Sequence, residues 1–232
     1  MGIFKNSYFF VRARKTRAQN RSVYKIHEDS STGLTKLSQK KDILKVALIT
    51  LPLCGFLFIG KGAYIHAKAV LAQLLLETAW SETLNGQKEV KPWPWADTWP
   101  VARLSAPHLG ISRIVLAGAS GSSLAFGPGH LFNSAQPGES GNIIISGHRD
   151  THFTFLQNLK YGDTLQLQSA DKKIKNYQVN KIFIVDKSKI NVIPTDSSDS
   201  LMLITCYPFD AIRAGGPLRY IVIAKPKPII LS

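Results

Sequence analysis

Three residues that could do chemistry together each lie beside an apolar, strand-like run. His148 follows NIIIS (142–146) after one glycine, Cys206 follows SLMLIT (200–205), and Arg219 lies at the start of LRYIVIA (218–224). A thiol nucleophile needs a proton acceptor nearby and a group that stabilises the oxyanion of the tetrahedral intermediate. Histidine and arginine supply those two roles. The residue types therefore indicate cysteine-dependent acyl transfer.

The cysteine and the arginine each have an alternative interpretation. Cys206 could be an inert buried thiol, and Arg219 could be a surface ion-pair partner, with Arg213 as a rival on the same loop. The chain has one other cysteine, Cys54, inside an apolar segment. Cys206 therefore has no disulfide partner outside that apolar segment. An unpaired cysteine in this position favours a reactive thiol.

The histidine also has competitors in the sequence. His130 and His152 could take its place, and Asp150 could orient His148 through a hydrogen bond. His148, His152 and Cys206 could in principle bind zinc, but no fourth ligand accompanies them. We therefore predict neither a metal nor a cofactor.

Short strands separated by Gly, Pro, Asn and Asp must position these residues. Strand patterns cover 111–117, 142–146, 164–168, 176–186, 200–205 and 218–224, and a short helix is expected at 153–160. The apolar run that leads to Cys206 is stopped by Pro208, because proline cannot donate to a sheet ladder. Closely spaced short strands are typical of a small barrel or sandwich.

A basic N-terminal region precedes a long apolar segment. Residues 1–45 carry 11 Lys and Arg against three Asp and Glu, and residues 43–60 are almost free of charge. At 1.5 Å per residue such a segment spans about 27 Å, enough to cross the hydrocarbon core of a bilayer. A buried core helix is the alternative. Positive charge on the N-terminal side predicts a cytoplasmic N-terminus and an exported remainder.

These patterns predict four parts of the chain. A basic tail (1–42) is followed by an uncleaved signal anchor (43–60), a helix and Pro/Trp-rich linker (61–100) and a β domain (101–232). The helix is expected at 64–84, where it either continues from the anchor or leans on the membrane. Trp93, Trp95 and Trp99 either lie at the membrane interface or pack the linker onto the domain. Because much of the net charge of +14 lies in the tail, we do not predict nucleic-acid binding.

The segment LITCYP (203–208), with Arg219 thirteen positions after Cys206 and SGHRDTHF (146–153) upstream, resembles the sortase family. The family pattern Thr-Leu-x-Thr-Cys is matched by Leu203, Thr205 and Cys206, whereas Met202 replaces the first Thr. Together with KPWPWADTWPVARL (91–104) and AGASGSSLAFGPGH (117–130), the sequence is most similar to Gram-negative, proteobacterial sortases. The resemblance spans about residues 100–225.

The resemblance implies a mainly β fold, an eight-stranded sortase-type barrel preceded by the transmembrane helix and linker. It also implies a cysteine transpeptidase that cleaves an LPxTG-like signal between Thr and Gly and transfers the acyl group to an amine. Cys206 would be the nucleophile, His148 the general acid and base, and Arg219 the oxyanion or substrate ligand, with Thr205 positioning substrate.

The implied partners are a protein with a C-terminal sorting signal, an amine acceptor at the cell envelope and the lipid bilayer. The implied location is the inner membrane, crossed once, with the catalytic domain in the periplasm. Two other functions stay open: a tethered barrel that binds peptide without reacting, and a thiol hydrolase that passes the acyl group to water.

Overall fold

A computed structural model describes the backbone of residues 31–192, 199–213 and 215–227, without the side chains of 31–41 and 190–192. The chain up to Phe58 and the chain from Ile59 onward form separate compact units. Helix α1 (Ser31–Leu84) supplies the described part of the first unit and the beginning of the second.

Helix α1 runs for 54 residues without a break and contains Pro52. Its part from Asp42 to Leu84 is the one helix in the described ranges that is long and apolar enough to cross a membrane. Large apolar side chains such as Leu51 and Phe56 are exposed along it. A core helix of a folded domain would bury such side chains. The exposed surface therefore fits a membrane anchor and disagrees with the buried-helix alternative.

Eight strands form a closed barrel in the order β1-β2-β3-β4-β7-β8-β6-β5. Their bounds are β1 (Pro100–Ala106), β2 (Ile111–Ala117), β3 (Gly129–His130), β4 (Asn142–Ser146), β5 (Thr164–Ser169), β6 (Ile174–Asp186), β7 (Ser200–Cys206) and β8 (Leu218–Pro226). The β1–β5 pair closes the barrel. β2–β3 and β4–β7 are parallel, and the other pairs are antiparallel. The eight-stranded barrel implied by the family resemblance is confirmed.

Short helices fill the connections between strands. Helix α2 (Gly121–Leu124) lies between β2 and β3, and three 3₁₀ segments cover Pro107–Leu109, Thr154–Asn158 and Lys187–Val192. The helical turn expected at 153–160 is thus present, in a tighter and shorter form.

Alternation along the strands sorts apolar side chains between the inside of the barrel and its outer face. Leu201, Leu203 and Val222 belong to the interior core. Met202, Ile204, Ile221 and Ile223 form a separate buried cluster, with Ile144, Phe183 and Val185 packed against it. Because neighbouring residues of a strand point to opposite faces, this second cluster lies outside the barrel on β4, β7, β8 and β6.

The last turns of α1 pack on the barrel in the second unit. Leu76 and Trp80 are each 1% exposed and join Ile114 and Leu116 of β2 in one cluster. The Arg103 guanidinium of β1 holds the Glu77 carboxylate at 2.5 Å. This combination of burial and an ion pair fixes the C-terminal part of α1 against β1 and β2.

Candidate active site

Cys206 is the last residue of β7 and is partly exposed, whereas the six residues before it are buried. It shares the outward face of the strand with Met202 and Ile204, because side chains two residues apart point the same way. The thiol therefore lies at the rim of the barrel, at one end of the outer apolar cluster. A buried strand that ends at an accessible thiol can present that thiol to a substrate.

Arg219 lies directly opposite Cys206 in the antiparallel β7–β8 ladder. Its Nη1 donates to the carbonyl oxygens of Gly216 at 2.6 Å and Leu218 at 2.9 Å. Both bonds hold the guanidinium against the loop that precedes β8. Within the described part of the chain they are its only hydrogen bonds, so Nε and Nη2 remain free to bind a substrate oxygen.

The backbone before His148 follows β7 beyond the end of β4. Ser146 pairs with Ile204 in the parallel ladder, the Gly147 N–H donates to the Ile204 carbonyl at 3.1 Å, and the Thr205 hydroxyl donates to the Gly147 carbonyl at 2.7 Å. These contacts carry the chain past Thr205 and place His148, which is exposed, alongside the end of β7. The three residues singled out in the sequence therefore lie on neighbouring strand ends.

Thr205 is 2% exposed, and its hydroxyl is directed at Gly147. This hydrogen bond ties the end of β7 to the loop that precedes His148. The geometry supports a role in positioning the protein's own backbone, while the suggested contact with substrate stays a prediction.

The competing residues occupy other environments. His130 is buried in β3, where its Nε2 lies 2.9 Å from the Ala135 carbonyl oxygen. Arg213 is exposed, and His148, which is also described, donates no hydrogen bond to the Asp150 carboxylate. His152 contacts the Ala125 carbonyl oxygen at 3.4 Å. No group of three His, Cys, Asp or Glu within the described ranges is arranged to bind a metal.

Arg149 is a residue that the sequence reasoning missed. It is 6% exposed, and its Nη2 donates to the carbonyl oxygens of Ala211 at 2.5 Å and Arg213 at 2.8 Å. It joins the segment after His148 to the loop after Cys206. The sequence gave no sign of this contact, because an arginine within SGHRDTHF is expected to be exposed, as arginines usually are.

A cavity of about 820 Å³ lies between α1, the Pro/Trp segment and β2, and Cys206 does not line it. Trp93 lines it and packs edge-to-face on Phe126 at 4.7 Å, whereas Trp95 is 83% exposed. The linker tryptophans thus divide between packing on the domain and exposure. His152 also lines this cavity, and burial, reinforced by Arg113 and His148, lowers its pKa below the usual 6.5.

The sortase domain model matches residues 104–227, more than half of the chain. The chain belongs to the sortase family. It is 35% identical over 123 residues to Sortase D of Bacillus subtilis (strain 168). The aligned stretch covers 53% of this sortase and 61% of that relative's length.

Solved sortases share the fold. Sortase C-1 of Actinomyces oris matches with a TM-score of 0.50 and 29% identity, over 56% of this chain and 76% of that one. The Sortase D5 transpeptidase of Clostridium perfringens matches with a TM-score of 0.50 and 27% identity, over 66% and 89%. These relatives come from Gram-positive bacteria and give no support to a Gram-negative subclass.

Proposed function

We propose that this sortase is a membrane-anchored cysteine transpeptidase that uses Cys206, His148 and Arg219. The observation that carries the proposal is the register of three strands. Cys206 faces Arg219 across β7–β8, and the β4–β7 pairing leads His148 to the same end. The similar Clostridium perfringens protein, which is described as a transpeptidase, supports the reaction class.

The first half of the reaction makes a thioester. The Cys206 thiol gives its proton to His148 as its sulfur attacks the carbonyl carbon of the scissile peptide, and Arg219 stabilises the oxyanion with the N–H groups that the loop leaves free. The C–N bond then breaks, and His148 gives a proton to the leaving amine. The thioester keeps the acyl group reactive, so that an incoming amine can replace sulfur while His148 takes the amine's proton.

In this proposal the substrate peptide binds beside the outer apolar cluster. That cluster lies next to Cys206 on β7 and β8, where Ile204 and Ile221 are buried and Phe183 packs against them. An LPxTG-like signal offers leucine and proline two or more residues before the scissile bond, and both are apolar. Such a peptide can pack these side chains against the partly buried members of the cluster while its Thr carbonyl lies beside the thiol.

The anchor and the charge pattern support the location. The exposed apolar surface of α1 suits lipid, and the excess of Lys and Arg before it supports a cytoplasmic N-terminus. The barrel would then face the outside of the cytoplasmic membrane, which is the periplasm if the cell is Gram-negative. The substrate would be an exported protein that carries the signal, and the acceptor an amine of the envelope.

Intact-mass analysis of the detergent-solubilised full chain tests this function. With an LPxTG-type peptide we expect a mass gain that maps to Cys206 and is absent in Cys206→Ala. Adding an amine should release a ligated peptide, whereas release of the free acid alone would indicate a thiol hydrolase. Peptide binding without any adduct would contradict catalysis and support the non-catalytic peptide-binding barrel.

A further inference from the structure

The cavity of about 820 Å³ beside α1, which we call the α1 cavity, takes no part in the chemistry proposed above. Every residue that lines it belongs to the second unit of the chain. Sites for small organic ligands typically have volumes of about 300–1,000 Å³ and mostly apolar walls. The α1 cavity has such walls, which include Leu71, Leu75, Trp93, Trp95 and Phe126. Its size and lining therefore suit a ligand with an apolar part.

One side of α1 forms a wall of this cavity and continues toward the predicted anchor. Lys68, Leu71 and Leu75 line the cavity, and their spacing of three and four residues places them on the same side of the helix. Tyr64 and Ile65 lie four and three residues before Lys68, so they extend that side, and both are exposed. An exposed apolar stripe thus leads from the direction of the anchor to the cavity.

Two cationic side chains, Lys68 and Arg113, line the α1 cavity, and no Asp or Glu lines it. The Lys68 Nζ lies 5.6 Å from the centre of the Tyr64 ring, and the Arg113 guanidinium donates to the Ser112 carbonyl at 2.9 Å. Neither cation forms an ion pair with a carboxylate among the residues that the structure describes. Cations beside apolar walls, with no carboxylate to neutralise them, favour an amphiphile with an anionic head.

The position of Lys68 along α1 fits an anionic group at the membrane surface. Lys68 comes eight residues after Gly60, where the sequence predicts that the membrane segment ends, and this spacing corresponds to about 12 Å of helix. Lipid headgroups add about 5–8 Å to the hydrocarbon core on each side. A lysine side chain is long and leans toward the N-terminus of its helix, so Lys68 can reach back to the headgroup layer.

We propose that the α1 cavity binds an anionic glycerophospholipid of the surrounding membrane. An acyl chain lies against Leu71, Trp93 and Phe126, and the headgroup phosphate lies near Lys68 and Arg113. An apolar segment of a protein partner would also suit the walls, but it has no negative charge to pair with the two cations. The lipid is a bound ligand and not a reactant. The inference goes beyond the transpeptidase reaction and depends only on the proposed membrane location.

Native mass spectrometry of the full chain in a non-ionic detergent tests the inference. Delipidated protein is titrated with phosphatidylglycerol or phosphatidylcholine of the same acyl chains, so that the two lipids differ in headgroup charge alone. An uncharged apolar peptide is the third ligand. We expect phosphatidylglycerol to reach half-occupancy at about tenfold lower concentration than phosphatidylcholine, because charge-assisted hydrogen bonds to an anionic head are the stronger ones.

Variants of the lining residues separate the headgroup contacts from the acyl-chain contacts. Lys68→Gln and Arg113→Gln should each raise the half-occupancy concentration of phosphatidylglycerol about fivefold and change that of phosphatidylcholine little. Lys88→Gln is the matched control, an exposed lysine that does not line the cavity, and should change neither value. Ala69 is exposed and lines the cavity, so the ring in Ala69→Phe should occupy part of it and weaken both lipids.

Three results would overturn the inference. The first is equal binding of the two lipids. The second is phosphatidylglycerol binding that Lys68→Gln and Arg113→Gln leave unchanged, since the basic tail would then attract the lipid. The third is binding of the apolar peptide without either lipid, which would identify a protein segment as the occupant. The adduct on Cys206 is recorded for every variant and should form in all of them, so failure of lipid binding is distinguished from failure of the proposed function.

Discussion

Replacing Thr205 with valine removes one hydrogen bond between the end of β7 and the loop that precedes His148. Valine matches threonine in shape, so the substitution leaves almost no cavity but leaves the Gly147 carbonyl without the 2.7 Å contact that it now accepts. An unsatisfied buried polar group costs about 1–3 kcal/mol. For a chain of this size, a loss of about 2 kcal/mol lowers Tm by about 4–8 °C.

Activity should fall together with stability. Gly147 precedes His148, so a relaxed Gly147 displaces the base proposed above relative to Cys206, and a misplacement of about 1 Å can cost about 10²-fold in rate. A smaller shift is expected here, so we predict about a tenfold lower kcat for peptide cleavage. Thermal unfolding and a peptide-cleavage assay measure the two effects.

Thr205→Ser is the matched control for this prediction. Serine keeps the hydroxyl and loses only a buried methyl group, worth about 0.8 kcal/mol. We expect Thr205→Ser to retain most of the activity that Thr205→Val loses. If the valine variant is as stable and active as wild type, or if serine is impaired equally, the hydrogen bond to Gly147 does not position the base.

Three further predictions follow from packing and charge. In Gly147→Ala the new Cβ would meet the Phe153 ring at 2.8 Å, and this ring is fully buried. The resulting overpacking should lower the free energy of unfolding, measured in urea, by about 1–3 kcal/mol. A neutral effect would show that the loop can move to accommodate the methyl group. Leu76→Ala should lower the free energy of unfolding by about 2–5 kcal/mol, and a loss below about 1 kcal/mol would contradict the packing of α1 on β2. His152 has a pKa below 6.5 in the folded state because burial disfavours its charged form, so the unfolded chain binds more protons and stability falls as pH drops below 6.5. His152→Gln should flatten that fall between about pH 7 and pH 5, as measured by Tm, and an unchanged pH profile would refute the assignment.

The local sequence pattern was sufficient to predict the bounds of those strands whose ends are marked by turn residues. The expected ranges for β2 and β4 coincide with the observed ones, and those for β5–β8 differ by at most two residues at either end. β1 was missed because three prolines and three tryptophans precede or begin it, and these residues indicate a linker. β3 has two residues, too few for any periodicity.

The sequence left open how the helix at 64–84 relates to the apolar segment at 43–60. That helix was expected either to continue from the segment or to lean on the membrane, and α1 continues through both. Gly60 and Gly62 weaken a helix without ending it, and no proline follows them before Leu84. How the chain divides into functional parts stays a prediction.

The types of the site residues could be read from the sequence, but their proximity could not. The pairing of β4 with β7 joins segments 58 residues apart, and no local signal specifies a parallel partner so distant. The contribution of Arg149 is hidden for a different reason. Whether its guanidinium is buried depends on how the β7–β8 loop folds back over it.

The long separation between Thr205 and Gly147 also affects when the thiol becomes reactive. The β5–β6 hairpin lies between the paired strands in the sequence, so β4 and β7 can meet only late, after a large loop has closed. With the roles proposed above, a chain that has not completed the barrel carries Cys206 without His148 and Arg219 beside it. Its thiol would therefore not be activated, and unfinished molecules would not acylate themselves or their neighbours.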